Sequence, residues 1–456
     1  MITVDRSRLP LVGADPSFRF PEIVHHTLSN GVAIRTIEHP SVPVVTFVVQ
    51  IEGGSGADAA GYEGLAAITA DMVDEGTGSL SAIDVSEALA GIGAQYDVEV
   101  GADAVVFTLT TLSRFADRGA ALVASMLTTP SLREDDFNRV RQIRLDRLLQ
   151  LKDLPPAVAE RAFLKLLYAE HPYGHLAIGT DAALRRINLG DVSGFHNAAF
   201  HPSRATIVAV GTSSHDELRA IVDRAFGQWA VNTSTTTLVD ASAIDASASA
   251  PRLAMVAREG AAQSELRLGQ LAVRRNTPDY HALLVLNALL GGQFVSRINL
   301  KLREEKGFTY GVRTGFDWRR GVAPFTLQTS VHTAATAEAI QDALSELEAI
   351  RGAKPPTDGE MSLAKASLTR GYPRNFETSQ QVARSVAQLA LYGLPDSYFE
   401  QFIPRVNAVT ADEVTRVATQ YLDPSRITTL VVGDHGTIAD SMDALGLGAP
   451  VVLSAA

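Results

Sequence analysis

Two stretches 222 residues apart repeat one another, and this repeat constrains the fold more than any other feature of the chain. HPSRATIVAVG (His201–Gly211) and DPSRITTLVVG (Asp423–Gly433) agree at six of eleven positions. Each follows a helical run, GDVSGFHNAAF in one case and ADEVTRVATQYL in the other. In both, Pro-Ser marks a turn, and a β-branched run ending in Gly marks a strand. A second helix then follows, from HDELRAIVDRAFG and from GTIADSMDALG. Helix, turn, strand and helix in the same order predict a duplicated α+β domain. At 456 residues the chain has room for two domains of roughly 200 residues each. Between the repeats lies VNTSTTTLVDASAIDASASAP (Val231–Pro251), which has no sustained apolar period and reads as a linker. The expected organisation is a first domain over 1–230, a linker over 231–251 and a second domain over 252–456.

The first half supplies the local detail. SNGVAIRTIE and PVVTFVVQIEGG read as strands bounded by turn residues. GYEGLAAITADMVDEGTG reads as a helix with small residues on one face. Ser81 and Asp84 have the spacing of a capping box for the next helix, which stops near Gly91 or Gly93. GAQYDVEVGADAVVFTLTTL reads as a hairpin turning at Gly101–Asp103. Two helices follow, around Arg114–Leu127 and Arg133–Leu151, with Pro155-Pro156 closing the second. Short turns between long strands favour an α+β class, with helices packed on a largely antiparallel sheet in each domain.

Composition narrows the partners. A formal net charge of −11 disfavours nucleic acid and anionic membranes, because phosphate binding needs clustered Lys and Arg. The opening MITVDRSRLPLVGADPSFRF lacks an apolar core, so it is not expected to be a signal peptide, and no apolar run reaches the roughly 18–20 residues of a membrane span. A cytoplasmic location is the expectation, or a periplasmic one if a leader is removed. The absence of cysteine removes disulfides, thiolate nucleophiles and Cys-type zinc sites.

For hydrolytic chemistry, that leaves Ser, an aspartic dyad or a metal-activated water. The sequence has no Gly-x-Ser-x-Gly elbow, no Asp-Thr-Gly or Asp-Ser-Gly, and neither HExxH nor HxxEH. Its eleven histidines are scattered. His25 and His26 are adjacent; His171 and His175 flank Pro172-Tyr173-Gly174; His196 and His201 straddle a helix end. None of these pairs offers two imidazoles one turn apart on a helix.

Gly61–Thr77 nevertheless resembles the zinc helix of the pitrilysin or insulinase-like (M16) metallopeptidases, whose pattern is Gly-Leu-Ala-His-x-x-Glu-His followed by Gly-Thr. Here the frame reads Gly64-Leu65-Ala66-Ala67-Ile68-Thr69-Ala70-Asp71-Met72, then Gly76-Thr77. Ala67 matches the first zinc histidine, Ala70 the general-base glutamate and Asp71 the second histidine. Alanine can neither ligate a metal nor take a proton from bound water. The resemblance puts the third ligand near Asp146 or Arg147. Asp71, Asp74 and Glu75 read as a solvated acidic helix end rather than a metal cluster.

The second half keeps a different family signature. Leu290-Gly291-Gly292-Gln293-Phe294-Val295-Ser296-Arg297 leads into Leu302-Arg303-Glu304-Glu305-Lys306-Gly307-Phe308-Thr309-Tyr310-Gly311. This resembles the family stretch Ser-Arg-Leu, then Leu-Arg-Glu-x-x-Gly-Leu-x-Tyr, whose arginine and tyrosine reach the substrate at the zinc. Arg303 and Tyr310 match that pair. Gly53-Gly54-Ser55 and His171-Pro172-Tyr173-Gly174 with Gly179-Thr180 fall where the family has similar marks.

The resemblance implies the non-catalytic half of a heterodimer. Zn²⁺, its water and the glutamate base would come from a zinc-binding M16-type partner subunit, with no metal in this chain. Arg303 and Tyr310 would act on unfolded peptide, which the family binds as an added strand; the corresponding edge here is near Ala94–Val100. The alternatives are a non-enzymatic scaffold, a peptide-holding homodimer formed without the partner, and a peptidase with novel ligands.

Overall fold

The computed structural model describes residues 18–231, 238–246 and 250–454, so parts of the expected linker, 232–237 and 247–249, lie outside the described residues. In the first half the strands are β1 (Val24–Thr27), β2 (Ala33–Glu38), β3 (Val44–Glu52), the small pair β4 (Gly76–Thr77) and β5 (Leu80–Ser81), β6 (Gln95–Val100), β7 (Ala104–Leu112) and β8 (Ala205–Gly211). Apart from the β4–β5 pair they form one sheet in the order β1-β2-β8-β3-β7-β6. The second half gives β9 (Leu253–Ala257), β10 (Gln263–Val273), β11 (Arg313–Phe316), β12 (Ala323–His332), β13 (Thr428–Gly433) and β14 (Val451–Leu453), in the order β11-β12-β10-β13-β9-β14.

The duplicated sequence becomes duplicated topology. β8 lies between a parallel neighbour, β2, and an antiparallel one, β3. β13 likewise lies between parallel β9 and antiparallel β10. Seven of the ten pairings in the two sheets are antiparallel, so the sheets are largely antiparallel as expected; the parallel ones are β2–β8, β13–β9 and β14–β9. Ser81 caps the helix Ala82–Ala90 in a full capping box with Asp84, and β6 turns into β7 through Gly101–Asp103. Pro155 and Pro156 begin the helix Pro155–Tyr168, in the first turn where their missing N–H groups cost nothing.

Each half covers the other's sheet. The helix Ser379–Tyr392, from the second half, lays Val382, Val386 and Ala387 on Val48, Val208 and Val210 of the first sheet. Ser379 Oγ and Thr46 Oγ1 share a buried hydrogen bond of 2.8 Å there. In return the helix Pro155–Tyr168, from the first half, packs Val158, Ala159 and Phe163 on Ala254, Val256, Leu430 and Val432 of the second sheet. These two helices occupy equivalent places in the repeat. Burying roughly 1.5–3 kcal/mol of apolar side chain at each such position ties the halves into one core.

A polar latch joins the two halves at the β6–β7 turn. Asp103 accepts from the Tyr173 hydroxyl, and its other oxygen accepts from the Arg320 amide at 2.8 Å. Tyr173 Oη in turn accepts from the Gly321 amide, and the Arg319 guanidinium donates to the Tyr173 carbonyl. Tyr173 is pressed so closely on Gly56 and Gly321 that a Cβ on either would stand under 3 Å from its ring. Asp103→Ala leaves the Tyr173 hydroxyl and the Arg320 amide without their acceptor, a cost of about 1–3 kcal/mol. Denaturant unfolding should show that loss, and both wild type and variant should unfold in a single transition because neither sheet is covered by its own half alone.

Candidate functional site

The helix with the degenerate motif is Leu65–Met72. Gly64 precedes it with φ +103°, a conformation that disfavours any side chain. Asp58 caps its open end from a distance, accepting from the Gly64 and Ala66 amides at 2.7 Å each. Burial pushes the Asp58 carboxyl up to about 7 despite those two amides. Gly64 also lies backbone to backbone against Gly179, where a Cβ would stand 2.2 Å from the Glu63 carbonyl oxygen. The Gly-Leu-Ala and Gly-Thr marks of the sequence therefore meet in space, and their role here is close packing.

Ala67 and Ala70 are fully buried. Asp71, one turn on from Ala67, receives a short ion pair from Arg144 Nη1 on the neighbouring helix Glu134–Lys152. Arg144 also donates to the Ala177 carbonyl at 3.1 Å. Burial raises the Asp71 pKa, and the Arg144 charge opposes that rise. Asp146 and Arg147, expected near the third ligand position, face away: Asp146 accepts from Gln142 and Arg147 donates to Gln150, both at exposed sites. The residue that reaches Asp71 is Arg144, and sequence reasoning missed it. Its only signal was the i, i+4, i+8 spacing that sets Arg144 on one helix face with Val140 and Leu148.

This site does not fit zinc. Two ligand positions carry a methyl group or no counterpart, and the third faces a guanidinium that already supplies the positive charge. Among the described residues no three His, Cys, Asp or Glu side chains gather closely enough to hold a metal. Glu75 pairs with Arg139 rather than joining Asp71 and Asp74 in a cluster. Of the histidine pairs, His196 is buried and bonded to the Leu127 carbonyl, and His171 reaches the Ile244 carbonyl in the linker region. His175 lies 3.8 Å from Asp58 in the wall of a cavity of about 830 Å³, and burial lowers its pKa.

A second hollow, of about 730 Å³, lies in the second half and holds Tyr310. Its wall combines Gln293, Phe294, Asn299 and Tyr310 with Glu265 and Arg267 of β10 and Ser330 of β12. Tyr310 is 95% exposed, so its phenol projects into solvent from a rigid base. That base is built by Asn299, which is buried. Asn299 Nδ2 donates to the carbonyls of Gln293 (3.1 Å) and Val312 (2.9 Å), and Oδ1 accepts from the Val312 amide (2.7 Å). One amide thus fixes the Gly292–Phe294 loop against the Tyr310 turn. Thr309 Oγ1 and Thr329 Oγ1 bond the Gly311 amide and carbonyl from either side.

Arg303 lies in the short π-helical turn Leu300–Glu305. Its guanidinium stacks on Phe294, 3.7 Å from the ring centre, and stands 3.4 Å from the Glu304 carboxylate. Phe294 is therefore the link between the two predicted residues, touching Arg303 and sharing the hollow with Tyr310. In the sequence Phe294 is one residue of the Gly291–Arg297 motif, with nothing local to single it out. Beneath them Glu265 accepts from Arg267 and from the Ser330 hydroxyl, and Arg267 donates to the Pro156 carbonyl at 3.3 Å. This buried polar tract was not foreseen, since a Glu-x-Arg pair on a strand reads as an exposed face.

At the first helix, Asp71→Asn removes the charge that neutralises a largely buried guanidinium; because Asp71 is partly exposed, the expected loss is about 1–3 kcal/mol, read by denaturant unfolding. At the hollow, Asn299→Ala strands the Val312 amide and carbonyl and takes one of two donors from the Gln293 carbonyl. A loss of about 2–4 kcal/mol is expected there, and the exposed Tyr310 should become more mobile in its NMR relaxation.

Comparisons with known proteins agree with this geometry. Residues 33–181 match the family model for insulinase (peptidase family M16), and residues 186–368 match that for the peptidase M16 inactive domain. An "uncharacterized zinc protease" of Mycobacterium tuberculosis is 25% identical over 90% of this chain and 93% of its own length. One of Bacillus subtilis is 22% identical over 87% of this chain and 95% of its own. Among solved structures, a peptidase M16 inactive domain from Pseudomonas fluorescens is 24% identical with a TM-score of 0.81, covering 91% of this chain and 98% of that one. A protease from Helicobacter pylori superposes with a TM-score of 0.83 at 20% identity, over 91% and 100% of the two chains. With both domain models of one family laid along it in order, and with two sheet-and-helix halves of that family's fold, the chain belongs to the M16, or insulinase-like, peptidases, in a form without the HxxEH motif.

Proposed function

We propose that this chain is the zinc-less subunit of a two-subunit M16-type peptidase and acts on unfolded peptide only beside a zinc-binding partner. The observation that carries the proposal is the contrast between its two halves. In the first, an arginine–aspartate pair fills the ground where a metal would be held. In the second, Tyr310 stands out into solvent from a turn that the buried Asn299 pins to the Gln293 loop.

The partner supplies the metal chemistry. In this chain the Tyr310 phenol donates a hydrogen bond to the oxygen that gains charge as the peptide carbonyl is attacked. The Arg303 guanidinium, oriented by stacking on Phe294, holds a substrate carbonyl or carboxylate. Peptide is proposed to add along β6, an edge strand of the first sheet, which among the described residues pairs only with β7. Its alternating exposed and half-buried side chains suit a strand that receives another. The compartment is proposed to be cytoplasmic; no helix of the described residues is long and apolar enough to cross a membrane.

The test is a peptide-cleavage assay with this chain alone, a zinc-binding half-size M16 subunit alone, and the two mixed. Cleavage is expected only in the mixture. Tyr310→Phe should lower its kcat by on the order of 10²–10³-fold, as loss of one oxyanion donor does. Arg303→Ala should act mainly on KM. Silence of both variants in an active mixture would turn the reading towards a scaffold, and cleavage by this chain alone would refute it.

A further inference from the structure

We infer that the second half carries a separate binding site for a small organic anion, a carboxylate or phosphate ester on an apolar body, between Arg275, His281 and Arg405. The site is a hollow of about 320 Å³ where the loop after β10 meets the helix Tyr398–Ala408. Tyr280, Tyr398 and Leu394 form its apolar walls, and its lining contains no Asp or Glu. In a chain of net charge −11, that is an unusual concentration of one sign.

Arg275 is 6% exposed. A guanidinium removed from water to that degree ordinarily pairs with a carboxylate. Here it is boxed by rings instead. Its centre lies 3.5 Å from the Tyr280 ring, 5.2 Å from Tyr398 and 5.6 Å from Tyr392, and it donates to the Tyr398 hydroxyl at 2.8 Å. Among the described residues it has no ion pair.

The independent observation is His281. It is 7% exposed, its Nε2 is buried with no hydrogen-bond partner, and it lines the same hollow. Burial first, then the charges of Arg405 and Arg275, hold it well below its usual pKa, at about 4. Arg275 and Arg405 stand near enough to His281 to depress its pKa, so the hollow that the three residues line offers a negative oxygen positive charge and N–H donors with no carboxylate competing for them. Arg405 donates to Gln401, on its own helix, and among the described residues no carboxylate pairs with it. The aromatic walls fit a planar or ring-bearing body better than a bare inorganic ion. The helix Tyr280–Leu290 runs from this hollow to Gly291 and Gly292 at the wall of the Tyr310 hollow, which places the two sites at opposite ends of one rigid element.

The test is isothermal titration of the full chain with benzoate, phenyl phosphate, neutral benzamide and inorganic phosphate as probes. One site per chain is expected for at least one aromatic anion, with Kd below about 1 mM, and none for benzamide. The exposed Arg405→Gln should weaken that binding at least about tenfold while leaving the melting temperature unchanged. His281→Phe, which keeps the packing, should weaken it too. Absence of saturable binding by both aromatic anions at about 10 mM would overturn the site. So would equal affinity in wild type and both variants, or tighter binding of inorganic phosphate than of either aromatic anion.

Discussion

The structure depends on the exchange of helices between its halves. Neither six-stranded sheet is covered on both faces by its own half. Ser379–Tyr392 closes the first and Pro155–Tyr168 closes the second. This exchange fixes where the sites can be. The helix Pro155–Tyr168 brings the Pro156 carbonyl to Arg267 and so forms part of the wall of the Tyr310 hollow, although Tyr310 belongs to the other half. Helix Ser379–Tyr392 brings Arg384 across to Asp97 and Glu99 on the edge strand β6. Each half therefore lends a side chain or carbonyl to the other's working surface.

A carboxylate drawn partly out of water needs a counter-charge whether or not a metal supplies it. Here Asp71 stands where the resemblance puts the second zinc histidine, and Arg144 pairs with it. A guanidinium satisfies a buried carboxylate as a metal ion would, without needing the open coordination and bound water that hydrolysis requires. The packing of Ala67 and Ala70 follows the same logic. Two buried methyl groups fill the helix face that would otherwise surround a polar cavity.

Much of this was legible in the sequence. The repeat around His201 and Asp423 gave the two halves, and the β-branched runs gave β8 and β13 their inner places. The missing His and Glu at Ala67 and Ala70 were plain in one line of residues. What was hidden was long-range. Arg144 lies 73 residues from its partner, and its place on the apolar face of its helix does not say which carboxylate it will meet. The reciprocal covering of the sheets was equally invisible, because an amphipathic helix shows that it has an apolar face and not which sheet will receive it. His-Pro-Tyr-Gly stood in the sequence only as a mark shared with the family, and Tyr173 proves to be the latch to Asp103 and Gly321.

The central claim is that a guanidinium, and not a metal, completes the first site. It is tested most directly by the zinc content of the purified chain alone, after equilibration with a slight excess of Zn²⁺ and removal of the free ion. Far less than one zinc per chain is predicted. One tightly held zinc per chain, released together with a chelator-sensitive peptidase activity, would contradict the account.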